Sequence, residues 1–285
     1  MQLIGFLNYK HKEHQSFLTQ NGFKTVLNDQ HFYLLSNFTE VDKKFVCYSK
    51  NNIHLILDGY VTNACIASTK ETQNILSSVL DRYFCADIDF LNILDGSYVA
   101  ILWDGNKKTL YLNRDVYGAR TLYYYTSDRN GLLFSNDLNF LLKITGKKNI
   151  SKKALYEYLR FLDISPPYTI YEDVYSLEPE KILIAKQNEI ILKDICFESY
   201  VPQDKAISLK DAVSKFENLL CKSINNRIRD TEKVGVFLSG GIDSALISAL
   251  TKKQTGNVKA FTVGFENQLY DESRTAHEIA HYLGI

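Results

Sequence analysis

The sequence predicts an α+β N-terminal domain of layered antiparallel sheets, followed by the start of an α/β domain built on a parallel sheet. Short β-rich runs separated by turns fill the first 140 residues, and this pattern favours antiparallel strands. After residue 205, strands alternate with helices, which predicts parallel strands joined by a right-handed crossover. With 285 residues and 45% hydrophobic side chains, the chain is long enough for about two domains.

The N-terminal strands are predicted where β-branched and aromatic residues cluster between turn signals. They cover residues 44–48, 54–57, 98–103, 109–113 and 121–126. Apolar residues recur with helical spacing over residues 72–83, which predicts one helix in the same domain. We place this domain at residues 1–145.

Residues 146–205 are predicted to form a connector with little helix. Ser151 is placed to cap a short helix within it, and two consecutive prolines end that helix. The second domain is placed at residues 206–285 and begins with a long amphipathic helix that Ser208 caps.

The second domain continues as a strand–helix–strand–helix pattern. Strands are predicted at residues 233–238 and 258–264, and helices at residues 244–254 and 271–283. Within the first of these helices, Leu246, Ile247 and Leu250 are predicted to point inward.

Composition excludes several classes of function. The 33 basic and 33 acidic residues give a formal net charge of zero, so we expect neither nucleic acid nor an anionic membrane as a partner. The five cysteines form no C-x-x-C pair, so we expect reduced thiols rather than a zinc site. Neither a signal peptide nor an 18-residue apolar run is apparent, so a cytoplasmic protein is expected.

The most specific feature is the run Ser239-Gly240-Gly241-Ile242-Asp243-Ser244, placed between a predicted strand and a predicted helix. The glycines let the backbone turn tightly, and the helix presents free N–H groups beside the two serine hydroxyls, which predicts a bound phosphate. Because Asp243 would repel a phosphate without a cation between them, we predict Mg²⁺ there. The lysine of a Walker A loop is missing. An ordinary strand-to-helix turn is the alternative.

This loop resembles the PP-loop of the ATP pyrophosphatases, which split ATP into AMP and pyrophosphate while adenylating a substrate. The later runs Val263-Gly264-Phe265 and Tyr270-Asp271-Glu272 resemble the asparagine synthetase superfamily in particular. The resemblance implies an adenine nucleotide alpha hydrolase-like domain in which backbone groups of Leu238 and Val263 hold the adenine of ATP. It also implies that pyrophosphate and its Mg²⁺ contact Ser239, Gly240, Gly241, Asp243 and Ser244.

The N-terminal half resembles the glutamine amidotransferase domain of the same superfamily. The resemblance is carried by Leu94-Asp95-Gly96-Ser97-Tyr98 and by Arg114-Asp115-Val116-Tyr117-Gly118. It implies an Ntn-hydrolase-like fold, and together the matching runs extend over nearly the whole chain in order.

One departure concerns glutamine hydrolysis. The family's nucleophile is the cysteine exposed when Met1 is removed, whereas this chain has Gln2, whose amide is not a nucleophile. Asp58-Gly59-Tyr60 stands where such enzymes carry Asn-Gly-Glu. We therefore expect an amidotransferase-like domain without glutaminase activity, retained as a scaffold.

The leading hypothesis is an ATP-dependent ligase that forms AMP and pyrophosphate. It would adenylate a small-molecule or peptide carboxylate for attack by an amine or ammonia, as in the β-lactam synthetases and lasso-peptide cyclases that the chain resembles. The family's ATP-binding domain continues for a few hundred residues more, so we expect a fragment, a split gene product or a truncated form. The alternative is a catalytically incomplete chain that needs a second chain or a homo-oligomer to complete its site. A tRNA-thiolating ligase is less favoured by the neutral charge.

Two further groups have a structural explanation that we prefer. His277 and His281 are spaced to bind a metal, but a solvated helix face explains them without a third ligand. Asp271 and Glu272 could approach a magnesium–pyrophosphate group, whereas capping of the last helix is the simpler interpretation.

Overall fold

The computed structural model describes residues 2–9, 14–37, 45–62, 69–85, 90–91, 93–127, 131–186, 189–195, 207–228, 233–267, 269 and 271–285. Contacts divide the chain into two compact units, Met1–Ser199 (unit 1) and Tyr200–Ile285 (unit 2). Within the described ranges, none of the helices combines the length and the apolar character needed to span a membrane.

Unit 1 is built on two six-stranded antiparallel sheets. Its strands are β1 (Leu3–Leu7), β2 (Lys24–Asn28), β3 (Phe32–Ser36), β4 (Phe45–Lys50), β5 (Ile53–Val61), β6 (Gly96–Asp104), β7 (Thr109–Arg114), β8 (Tyr123–Thr126), β9 (Leu132–Ser135), β10 (Val174–Ser176), β11 (Lys181–Lys186) and β12 (Glu189–Asp194). Sheet A has the order β10-β8-β9-β1-β3-β2, and sheet B has the order β12-β11-β7-β6-β5-β4. Within each sheet the paired strands are antiparallel.

Four helices accompany these sheets. They are α1 (Gln15–Gln20), α2 (Thr69–Phe84), α3 (Leu138–Thr145) and α4 (Lys152–Phe161). As predicted, Ser151 caps α4, because its hydroxyl accepts the backbone N–H of Ala154 at 3.3 Å.

The sheets of unit 1 are stacked, with helices on both outer sides. Alternate residues of each strand point to opposite faces, so the central strands contribute to two cores at once. Between the sheets, Trp103 of β6 and Phe32 of β3 belong to one buried cluster, with ring centres 5.2 Å apart. Leu102 packs on the other side of sheet B in the cluster that holds α2. Phe6 packs on the other side of sheet A in the cluster that holds α1 and α3.

A buried hydrogen bond fastens α2 to sheet B. The Tyr83 hydroxyl donates to Asp104 Oδ2 at 2.6 Å, and burial together with this bond raises the pKa of Tyr83 far above its usual range. Tyr83 therefore remains a donor at all ordinary pH values. The other oxygen of Asp104 accepts the N–H groups of Asn106 and Lys107, each at 2.9 Å, so the same carboxylate closes the β6–β7 turn.

The helix–sheet–sheet–helix layering confirms the predicted α+β domain of Ntn-hydrolase-like layered antiparallel sheets. The five predicted strands correspond to β4 through β8. The sequence analysis missed β1, β2 and β3. Most of the segment predicted as a connector, 146–205, belongs to unit 1, where β10 extends sheet A and β11 and β12 extend sheet B.

Unit 2 contains a parallel strand pair and three helices among its described residues. They are α5 (Leu209–Ile228), β13 (Val234–Phe237), α6 (Ile242–Thr255), β14 (Val258–Phe261) and α7 (Ser273–Leu283). This order confirms the predicted start of an α/β parallel-sheet domain. Ser208 caps α5 as predicted, since its Oγ accepts the N–H of Asp211 at 3.2 Å.

The predicted inward face of α6 is only partly correct. Leu250 is buried, but Leu246 and Ile247 are 38% and 37% exposed. Two strands offer α6 a narrow sheet surface, so one row of its apolar residues is covered and the neighbouring rows are not.

Gly59 allows a close contact between β5 and β6. Its φ is +132°, and a Cβ atom there would lie 2.1 Å from the carbonyl oxygen of Ser97. We expect Gly59→Ala to lower the free energy of unfolding of unit 1 by about 3 kcal/mol. Urea unfolding followed by Trp103 fluorescence measures this, since Trp103 is the single tryptophan and lies in unit 1.

Gly22→Ala is the matched control. Gly22 also has a positive φ, +76°, but nothing lies within 4 Å of the added Cβ. Gly22→Ala should lower the free energy of unfolding by about 1 kcal/mol, which is the cost of the left-handed backbone alone. Equal losses in the two variants would contradict the assigned contact with Ser97.

Candidate functional site

The predicted phosphate loop lies at the carboxyl end of the parallel strand pair in unit 2. β13 ends at Phe237, and α6 begins at Ile242 with Gly241 as its N-cap residue. The Leu238 N–H donates to the carbonyl oxygen of Phe261 at 2.9 Å, which holds the ends of the two strands side by side. In open parallel sheets, ligands bind at this edge.

A cleft of about 350 Å³ opens between these strand ends. The described residues that line it are Phe237, Leu238, Ser239, Ser244, Phe261, Thr262, Val263, Phe265 and Glu272. The structure therefore brings together four of the predicted site residues, Leu238, Ser239, Ser244 and Val263. Gly240 and Gly241 continue the loop beside the cleft.

The two loop serines bond to each other across the turn. Their hydroxyl oxygens lie 2.9 Å apart, and Ser244 Oγ also accepts the backbone N–H of Ser239 at 3.1 Å. The Gly241 N–H donates to Ser239 Oγ at 3.2 Å. The hydroxyls that the sequence suggested as ligand donors thus also fix the shape of the loop.

Gly240 lies where the loop approaches α7. Its N–H donates to Glu272 Oε2 at 3.1 Å. A Cβ atom on Gly240 would lie 3.2 Å from the Cβ of Thr275, so a side chain there would push the loop away from α7. The sequence analysis did not foresee this pairing of Glu272 with the loop.

Asp243, the predicted contact for Mg²⁺, lies in the first turn of α6. Its side chain is exposed and does not line the cleft. A carboxylate at this position stabilises the helix through its dipole, whether or not a metal is bound.

The neighbouring acidic residues Asp271 and Glu272 have different hydrogen-bond partners. Asp271 Oδ1 accepts the N–H of Ser273, the first residue of α7, at 3.0 Å. The predicted capping is thus correct only for Asp271, since the N-cap residue Glu272 makes no side-chain capping bond. The hydrogen bonds from Ser273 hold the pKa of Asp271 below its usual value. Glu272 instead reaches the loop. Among the described residues no group of three His, Cys, Asp or Glu side chains is arranged to hold a metal, and His277 and His281 are exposed.

Gln2 lies in unit 1 at the start of β1, and both ends of its amide are bonded. Nε2 donates to Asp137 Oδ2 at 2.5 Å, and Oε1 accepts Nδ2 of Asn37 at 2.9 Å. The Gln2 backbone N–H donates to Asn37 Oδ1 at 2.6 Å. Gln2 is thus part of a polar network with Asn37 and Asp137.

A second polar network surrounds Asp58, which is completely buried. Arg120 Nη1 lies 3.1 Å from Asp58 Oδ1, and Asn136 Nδ2 donates to Asp58 Oδ2 at 2.8 Å. Asp115 accepts the backbone N–H groups of Ala119 and Arg120 at 2.9 and 3.0 Å, which fixes the turn that presents Arg120. Both carboxylate oxygens of Asp58 therefore have charged or amide donors.

Comparison with known proteins identifies the family. A glutamine amidotransferase domain model matches residues 67–196, and an asparagine synthase model matches residues 215–285. Asparagine synthetase (glutamine-hydrolyzing) 1 of Bacillus subtilis is 31% identical over 195 residues, which are 67% of this chain and 30% of the relative. The chain belongs to the asparagine synthetase superfamily.

Two further relatives also match this chain. Putative asparagine synthetase (glutamine-hydrolyzing) 2 of Methanocaldococcus jannaschii is 28% identical over 71% of this chain and 40% of its own length. Amidase chry2 of Gibberella zeae is 30% identical over 73% of this chain and 33% of its own length. The chain thus spans 30% to 40% of the length of these relatives.

One solved structure, glutamine phosphoribosylpyrophosphate amidotransferase from B. subtilis complexed with ADP and GMP, aligns over 94% of this chain and 67% of its own. Its TM-score is 0.44 at 10% identity. Because this score is below 0.5, the fold assignment rests on the two sheets and on the family models.

The Gln2 network generates a prediction about stability. We expect Gln2→Ala to lower the free energy of unfolding of unit 1 by about 2 kcal/mol, because Asp137 and Asn37 lose their amide partner. Gln30→Ala makes the same change at an exposed position and should alter the free energy of unfolding by less than about 0.5 kcal/mol. Urea unfolding by Trp103 fluorescence compares the two, and indistinguishable variants would show that the network contributes nothing.

Proposed function

We propose that this chain supplies the ATP-binding segment of a ligase that forms AMP and pyrophosphate while it adenylates a carboxylate. The observation that carries the proposal is the run 239–244, placed between a parallel strand and a helix and beside a cleft that also contains Leu238 and Val263. The asparagine synthase match over the same segment supports it. The acceptor would be an amine or ammonia, and the carboxylate a small molecule or a peptide.

The residues present fit the phosphates and base of ATP. The loop precedes a helix of 14 residues, whose N-terminal N–H groups and dipole favour an anion. The side chains of Phe261 and Val263, which line the cleft, are 55% and 64% exposed, so the cleft offers apolar surface to a flat base. Asp243 would hold Mg²⁺ through the phosphates of ATP.

In this proposal each part of the site has one role. ATP supplies the activating group, and its pyrophosphate leaves when the carboxylate is adenylated. The loop N–H groups and the hydroxyls of Ser239 and Ser244 stabilise the charge of the leaving group. Backbone groups of Leu238 and Val263 orient the adenine. The bonds between the two serines keep these donors in place before ATP binds.

We also propose that unit 1 does not hydrolyse glutamine. Gln2 offers no nucleophile, and its amide is held by Asn37 and Asp137. The ion pair of Asp58 with Arg120 fills the position where the resembled enzymes use an uncharged asparagine. Unit 1 then serves as a scaffold.

A second candidate is an accessory subunit that needs another chain to complete the site. It is favoured by exposed apolar side chains around the loop, since Phe237 and Ile242 are each 85% exposed. The sequence of the DNA downstream of the gene separates the two candidates. A continuing reading frame supports the ligase as one chain, and a separate frame that encodes the remaining segment supports the accessory subunit.

The proposed ligase is tested by ATP–pyrophosphate exchange and by MgATP binding. The complete gene product should catalyse exchange with one of a panel of carboxylates. Asp243→Asn should weaken MgATP binding by about tenfold, since the carboxylate contact with the cation is lost. Glu217→Gln, an equal change of charge on α5, should not. Absence of both exchange and ATP binding in the unaltered protein would refute the proposal.

Glutamine hydrolysis is tested separately. The protein incubated with glutamine should release no glutamate, measured by a coupled glutamate assay. Gln2→Cys should also release none, because Asp58 stays paired with Arg120 at the position where the resembled enzymes use an asparagine. Glutamate release by the unaltered protein would disprove the scaffold role of unit 1.

A further inference from the structure

Glu272 accepts a backbone hydrogen bond from the predicted phosphate loop, residues 239–244. It directly precedes α7, and its Oε2 accepts the Gly240 N–H at 3.1 Å. It also lines the cleft together with Ser239 and Ser244. Of the described residues that line this cleft, Glu272 is the charged one, and its charge is negative.

This arrangement is unusual for an anion site. A carboxylate oxygen and a phosphate oxygen are acceptors of the same kind, so both compete for the Gly240 N–H. Asp243, in the first turn of α6, adds a second negative charge to the same loop. A free polyphosphate that enters the cleft therefore meets the Glu272 carboxylate, with Asp243 exposed on the same loop. A polyphosphate that carries a divalent cation instead offers Glu272 a positive charge to bind.

We propose that Glu272 is a specificity-determining residue that makes the loop select cation-bound over free polyphosphate. The inference rests on the proposed function of this loop. In the free protein, Glu272 accepts the hydrogen bond of the Gly240 N–H. A magnesium-bound polyphosphate displaces it without repulsion, because the cation neutralises the charge that faces the carboxylate. A free polyphosphate has to displace the same carboxylate against the repulsion between the two negative charges.

The test uses inorganic pyrophosphate as the probe and calorimetric binding as the readout, with Mg²⁺ or with EDTA. Glu272→Gln keeps an oxygen that can accept the Gly240 N–H but removes the charge. We expect this variant to bind pyrophosphate in EDTA about tenfold more tightly than the unaltered protein, so that its dependence on Mg²⁺ shrinks. Glu278→Gln removes an equal charge from α7, where Glu278 pairs with Arg274, and should leave both affinities unchanged.

A second measurement needs no ligand. The amide resonance of Gly240 in the free protein should shift in Glu272→Ala, which loses the acceptor, and should not shift in Glu278→Gln. Because Glu272 is exposed, neither substitution removes a buried side chain, and circular dichroism checks that both variants fold.

The outcomes separate this inference from the proposed function. Tighter binding of free pyrophosphate by Glu272→Gln alone, with the Gly240 shift, supports it. Equal affinities of the unaltered protein and Glu272→Gln in EDTA, with normal binding in Mg²⁺, overturn the inference and leave the phosphate loop intact. An unchanged Gly240 resonance in Glu272→Ala also overturns it. Failure of the unaltered protein to bind pyrophosphate in Mg²⁺ overturns both.

Discussion

The architecture of unit 1 depends on one constraint, which is that its central strands are apolar on both faces. All five residues of β1 and all five of β3 are buried, and seven consecutive residues of β6 are buried from Tyr98 to Asp104. Neither sheet can therefore face water on one side, as many antiparallel sheets do. Stacking the sheets covers one face of each, and α2 on one side and α1 with α3 on the other cover the remaining faces.

The same burial explains the polar groups around Gln2 and Asp58. A completely buried carboxylate is costly unless each oxygen has a donor, and breaking such a pair leaves an uncompensated charge. Arg120 and Asn136 provide those donors. Gln2, directly before β1, is held in the same way, because its backbone N–H donates to Asn37 and its amide donates to Asp137.

The sequence predicts the parts of this protein that local pattern controls. β4 to β8 follow from clusters of β-branched and aromatic residues, and the caps Ser151 and Ser208 follow from their positions before helices. The turn between β13 and α6 follows from its glycines. β1 and β3 were not predicted because each is a short apolar run of five residues without alternation, and periodicity alone does not distinguish such a run from a buried helix segment.

The remaining features depend on contacts between residues far apart in the chain. The places of β10 and β11 in the two sheets depend on partners far earlier in the chain, as in the pairing of Leu183 with Leu112. The contact of Glu272 with Gly240 joins residues separated by 32 positions, and no local sequence pattern predicts it.

The hydrogen bonds between the two loop serines have a consequence for ligand binding. A loop already fixed by Ser239 and Ser244 loses little conformational entropy when a ligand arrives. The rate at which a ligand binds such a preorganised turn would depend on diffusion and on the loss of its bound water, rather than on folding of the backbone around it.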